Sequence, residues 1–214
     1  MALRGDEPRR GTGSIARVIR GLAAVAILVA LVVNYADATR VAGFRAINFF
    51  SYFTILSNVL ALGLLAGQAL RPGWMGHNAR FRGAVSLYMT ATLLVYAVLL
   101  RPIAADVGNY RPWIDYIEHT AAPVLVLQDW LLFPPRRRLP ASWLWGWMVF
   151  PVVYLAYSLI RGPGAGWYPY PFLDPTLDGG YPRVALYVVV IALVFVGIGS
   201  LIRWWPGYAA EEPT

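Results

Sequence analysis

The sequence predicts an all-α, polytopic membrane protein with six transmembrane helices in one bundle, and three observations carry that prediction. Apolar residues make up 58% of the 214 and charged residues only 14%, against about 45–50% and about 25% in a soluble domain. Apolar runs long enough for a span of about 20 residues recur six times. Arginines are shared unequally between alternate flanks of those runs. Backbone groups in lipid must be satisfied within helices or a closed barrel, and runs of this length exclude the barrel.

Residues 1–14, "MALRGDEPRRGTGS", read as a short cytoplasmic arm, and the first apolar run is retained because no cleavage site follows it. Residues 15–205 form the membrane domain and 206–214 a cytoplasmic tail. Within the domain the spans run from Ile15 to Ala36, Ile47 to Ala69, Ala84 to Ala104, Pro112 to Phe133, Ser142 to Ile160 and Pro182 to Trp204. The fourth is the most polar, with Asp115, Glu118, His119 and Asp129. In "FPPRRRLP" two prolines end that helix, and a tight arginine-rich turn follows.

The formal charge of +7 comes from arginine alone, since the sequence has no lysine. One set of flanks holds Arg4, Arg9, Arg10, Arg17, Arg20, Arg71, Arg80, Arg82, Arg136, Arg137, Arg138 and Arg203. The other holds Arg40, Arg45, Arg101, Arg111, Arg161 and Arg183. By the positive-inside rule both termini are cytoplasmic. The charge is therefore read as topology rather than nucleic-acid affinity, and the expected partners are membrane lipids or a lipid-ester substrate. Arginine, alanine and glycine usage fits a bacterial chain in the inner membrane. Cysteine is absent, which excludes disulfides and thiolate chemistry.

"NFFSYFTILSNVLALGLL" places Ser51, Thr54, Ser57 and Asn58 on one face of an otherwise apolar helix. A stripe of that kind faces protein or water, not lipid. Counting from the outer ends of the second and fourth spans, Thr54 and His119 each lie seven residues in, or roughly 10 Å deep. Threonine in a membrane helix commonly bonds back to a carbonyl one turn earlier, whereas an intramembrane histidine is costly and by default marks a functional site. Together they read as a nucleophile and the base that takes its proton.

Asp115 precedes His119 by one turn, where it either orients the imidazole or pairs with Arg111. Glu118 points about 100° away and is read as a packing or outer-cavity residue. Asp129, roughly 15 Å deeper, is read as structural, directed towards Arg80, Arg82 or Arg136. Ser57, Asn58, Ser51 and a backbone amide are candidate oxyanion donors. In "RGPGAGWYPYPFLDPTLDGGYPR", Trp167, Tyr168, Tyr170 and Phe172 form either an interfacial aromatic loop or a lid over the site. His77 reads as a solvated residue. One intramembrane histidine with scattered carboxylates lacks a ligand cluster, so neither metal nor organic cofactor is expected.

Three segments, "FFSYFTILSNVL", "IEHTAAPVLVLQDWLLFPPRRRLP" and "GWYPYPFLDP", together resemble the family of androgen-induced protein and androgen-dependent TFPI-regulating protein, with its bacterial six-helix relatives. The resemblance covers most of the chain in the same order. It implies an intramembrane threonine hydrolase of fatty acid esters of hydroxy fatty acids, with Thr54 matching the nucleophile and His119 the base. "SNVL" is more polar than the matching stretch of the animal enzymes, and "PPRRRLP" belongs to the bacterial type, so the implied substrate class is acyl esters. The competing expectations are a non-enzymatic lipid or small-molecule carrier and a scaffold whose polar stripe joins two helices.

Overall fold

A computed structural model describes residues 10–71, 79–102, 111–135 and 138–211. The elements are α1 (Arg10–Ala38), α2 (Ala46–Phe49), α3 (Phe53–Leu70), α4 (Ala79–Val95) and a π turn (Tyr96–Leu100), then α5 (Pro112–Tyr116), a second π turn (Ile117–Ala121) and α6 (Ala122–Leu132). They are followed by α7 (Ser142–Ala165), a 3₁₀ turn (Pro171–Leu173) and α8 (Gly180–Glu211). Among the described residues there is no strand. The first helix begins at Arg10, ahead of the expected Ile15, and the last runs on through part of the expected tail.

Among the described residues, five helical segments are long and apolar enough to cross a membrane: Gly13–Ala38, Phe53–Leu70, Ala79–Leu100, Ser142–Ala165 and Gly180–Pro206. They leave large apolar side chains exposed, among them Leu22, Val25 and Val32 on α1, Val152 and Ile160 on α7, and Leu186 and Leu193 on α8. Apolar surface of that extent needs lipid around it. The chain is an integral membrane protein.

The stretch expected as the fourth span is helical from Pro112 to Leu132, but its hydrogen-bond register changes in the middle. Pro123 has no N–H for the His119 carbonyl four residues earlier. The ladder widens there, and the Ala122 N–H reaches Ile117 O. α5 and α6 are thereby only 5 and 11 residues long. A matching change ends α4, where the Arg101 N–H reaches Tyr96 O just before Pro102. π turns of this kind are frequent at functional sites.

α4 lies at the centre, with every residue from Arg82 to Thr92 buried. Around it one apolar cluster gathers Phe53, Leu87, Tyr88, Trp147, Tyr154 and Phe195, and another gathers Ile27, Leu64, Leu65, Val85, Met89 and Val126. A polar knot ties four helices together. Asp129 accepts from Arg20 Nε at 2.6 Å, from Arg82 Nη2 at 3.3 Å and from Gln68 Nε2 at 3.5 Å. Arg82 Nη2 also donates to Phe133 O at 2.8 Å. The structural reading of Asp129 thus acquires Arg82 and, in addition, Arg20. Arg136, Arg137 and His77 lie outside the described residues, as does the expected end of the third span at Ala104.

Candidate functional site

The expected polar stripe is buried throughout, with Ser51, Thr54, Ser57 and Asn58 all at or below 5% exposure. It is not carried on one helix. The chain breaks between α2 and α3, so Ser51 and Tyr52 stand outside α3 and Thr54 is its second residue. Ser51 Oγ is bonded to Ile47 O at 2.6 Å and to the Tyr157 hydroxyl at 2.7 Å, while the Tyr154 hydroxyl donates to Ser51 O at 2.9 Å. α7 holds the break in place. One consequence falls on Thr54: an N–H in the first turn of a helix has no intrahelical acceptor. Tyr170 supplies it. The Thr54 N–H donates to the Tyr170 hydroxyl at 3.2 Å, and the Thr54 and Tyr170 hydroxyls lie 3.3 Å apart.

Glycines make that approach feasible. Gly166 caps α7 in the left-handed conformation (φ 59°), which reverses the chain into the aromatic loop. A Cβ on Gly162 would meet the Tyr168 ring at 2.0 Å, so only glycine there lets the loop fold against α7. Tyr170 then stacks on Phe172, with centroids 5.0 Å apart, and edge-on against Tyr52. Arg183 Nη2 pins the loop by donating to Pro171 O and Asp174 O. Trp167 packs against Tyr52 and under Arg161. Burial pushes the Tyr170 phenol up to about 12, against the opposing effect of its hydrogen bonds with Thr54, so it keeps its proton at neutral pH.

Beside this pair is a half-open cavity. Apolar side chains form most of its wall, among them Ala91, Val95, Met148, Leu155, Ile191 and Phe195, with Phe172 and Leu173 from the loop. Its hydroxyls are those of Thr54, Thr92, Tyr154 and Tyr170. Of the four residues expected as a lid, Tyr170 and Phe172 line the cavity, whereas Trp167 and Tyr168 brace the loop behind it.

His119 sits in the second π turn, 17% exposed. Its Nδ1 lies 3.1 Å from Asp115 Oδ1 and 3.2 Å from Asp115 O, so Asp115 faces the imidazole. The expected alternative partner of Asp115, Arg111, is bonded instead to Asp37. Tyr96, from the π turn after α4, stacks on the imidazole at 4.1 Å and donates its hydroxyl to Asp115 Oδ2. Glu118 is buried and accepts from Asn34 Nδ2 at 2.9 Å.

Thr54 and His119 belong to neighbouring segments joined by Asn58, whose Nδ2 donates to Thr54 O at 2.9 Å and to Glu118 O at 3.0 Å. No hydrogen bond joins the Thr54 hydroxyl to the imidazole among the described residues, and His119 is not part of the cavity wall. Both of the Asn58 amide bonds therefore go to backbone, and Ser57, fully buried, does not reach the cavity either. Of the side chains expected as oxyanion donors, Ser51 and Asn58 bond to backbone carbonyls, while Ser57 Oγ is buried with no hydrogen-bond partner among the described residues. Sequence reasoning missed Tyr96 and the direct contact of Tyr170 with Thr54. Pro123, one turn after His119, was the available sign that the fourth span changes register there. Among the described residues, no three His, Cys, Asp or Glu side chains gather to hold a metal. No family model matches the chain, and no curated protein or solved structure matches it.

Proposed function

We propose that the protein is an intramembrane hydrolase of lipid esters, with Thr54 as nucleophile and His119 as base. The observation that carries this reading is a hydroxyl at the wall of an apolar cavity among membrane helices. An acyl chain entering from the bilayer would lie along Val95, Leu155 and Ile191 and present its carbonyl to Thr54. Fatty acid esters of hydroxy fatty acids, or related acyl esters, fit that description.

His119 is suited to the base because Nδ1 is engaged by Asp115, which leaves Nε2 to take a proton. Catalytic hydrogen bonds are often long before substrate binds. In this reading the Thr54 hydroxyl leaves Tyr170 and reaches the imidazole directly or through one water. Attack would form the Oγ–acyl bond, His119 would return the proton to the leaving alcohol, and water would then release the acyl group.

We read Pro112–Leu132 as a sixth span, since its polar groups have partners on α1, α3 and α4, and we place both termini in the cytoplasm of a bacterial inner membrane on the arginine distribution. A second reading is a lipid carrier, favoured by one observation: His119 stands outside the cavity wall. A fluorophosphonate probe separates the two. A hydrolase is labelled at Thr54 and loses labelling in Thr54→Ala, whereas a carrier binds lipid but is not labelled.

A further inference from the structure

Four hydroxyl-bearing residues line the cavity, and their hydrogen bonds divide them into two pairs. Thr92 Oγ1 donates to Tyr88 O at 2.9 Å, and the Tyr154 hydroxyl donates to Ser51 O. Both protons are committed to backbone carbonyls. Thr54 and Tyr170 differ, because they are bonded to one another. Two hydroxyls have two protons, and one mutual hydrogen bond uses one of them. Whichever oxygen donates, the second O–H makes no further hydrogen bond among the described residues.

We propose that the Tyr170 phenol is a catalytic hydrogen-bond donor that polarises the acyl carbonyl and stabilises the oxyanion, a role that rests on the hydrolase reading of Thr54. As the Thr54 oxygen gives its proton to the base and commits a lone pair to the new bond to carbon, it becomes a weaker acceptor for the phenol. The phenol O–H then turns to the carbonyl oxygen. As the Thr54 Oγ–carbon bond forms, the carbonyl π pair moves onto that oxygen and the phenol O–H bonds to it. The Thr54 N–H, which donates to the phenol oxygen at rest, becomes available to the same oxyanion once that oxygen takes the phenol's place. Tyr170 transfers no proton. When the intermediate collapses, the pair returns to the carbonyl and the alkoxide leaves with the proton held by the base.

Position supports the assignment. Tyr170 is fixed on one side by the stack on Phe172 and on the other by Tyr52, while Arg183 holds the backbone of its loop. A donor held in place before reaction loses no energy to reorganisation at the moment charge develops.

The test compares purified wild type, Thr54→Ala and Tyr170→Phe on a medium-chain p-nitrophenyl ester, with thermal midpoints measured alongside. Removing one oxyanion donor is expected to lower kcat about 10²–10³-fold, with KM within about twofold, while the thermal midpoint of Tyr170→Phe stays close to that of wild type. If Thr54→Ala is inert and Tyr170→Phe keeps kcat within about threefold of wild type, the role of Tyr170 is overturned and the nucleophile stands. A wild type with no Thr54-dependent turnover overturns both. Should Tyr170→Phe fail to fold, Tyr170→3,5-difluorotyrosine keeps the shape and donor but acidifies the phenol. The alkaline limb of its kcat–pH profile is expected to move to lower pH, and an unmoved limb overturns the proposal.

Discussion

The segment from Pro112 to Leu132 carries two polar centres that use the same chemistry to opposite ends. At Asp129 a carboxylate meets two buried guanidiniums, from Arg20 and Arg82, with Gln68 beside them. At Asp115 a carboxylate meets an imidazole and a phenol. The first pairs charges from three helices, with the neutral Gln68 joining from a fourth, and lies away from the cavity. The second orients a titratable ring and sits one amide, that of Asn58, from a hydroxyl in the cavity wall. A membrane helix can spend one carboxylate on assembly and another on positioning, and the partner type distinguishes them.

That contrast is broken most severely at the assembly end. Asp129→Asn leaves two buried arginines without their carboxylate, and removing one partner of a buried ion pair costs about 3–5 kcal/mol. Loss of the monodisperse folded species in detergent, read by size exclusion and thermal melting, is expected. A variant that folds and turns over ester like wild type would reduce the knot to incidental contact.

At the other end the fold should survive and the chemistry should not. His119→Gln is expected to lower ester turnover about 10²–10⁴-fold, the range of general base catalysis, with little change in melting temperature. Tyr96→Phe keeps the ring stack but removes the hydroxyl bond to Asp115. One hydrogen bond of about 1 kcal/mol corresponds to a loss of roughly fivefold in turnover. If Tyr96→Phe instead costs more than His119→Gln, Asp115 serves Tyr96 rather than the imidazole.

Much of this contrast was legible in the residues. The apolar runs, the turning of Ser51, Thr54, Ser57 and Asn58 away from lipid, and the structural reading of Asp129 follow from period, depth and charge. What could not be read was contact across long sequence separation. Tyr170 reaches Thr54 over 116 residues because Gly162 and Gly166 fold the loop inward, and a loop tyrosine near a membrane also suits an interfacial belt. In the sequence Arg20 reads only as a topological charge, although it lies in the bundle against Asp129. The sequence pattern puts the stripe on one continuous helix, whereas the break before Phe53 removes Ser51 from it and releases the Thr54 N–H. Tyr96 gave no sign at all, since one tyrosine at the end of an apolar run looks like any other until a π turn directs it.

The most direct measurement of the central claim is ester turnover by folded Thr54→Ala protein beside wild type, over a panel of acyl esters that includes branched fatty acid esters. Loss of the hydroxyl removes the nucleophile while leaving the apolar wall intact. The account predicts turnover at the uncatalysed background for Thr54→Ala and clear hydrolysis for wild type. Undiminished hydrolysis by well-folded Thr54→Ala protein would contradict it.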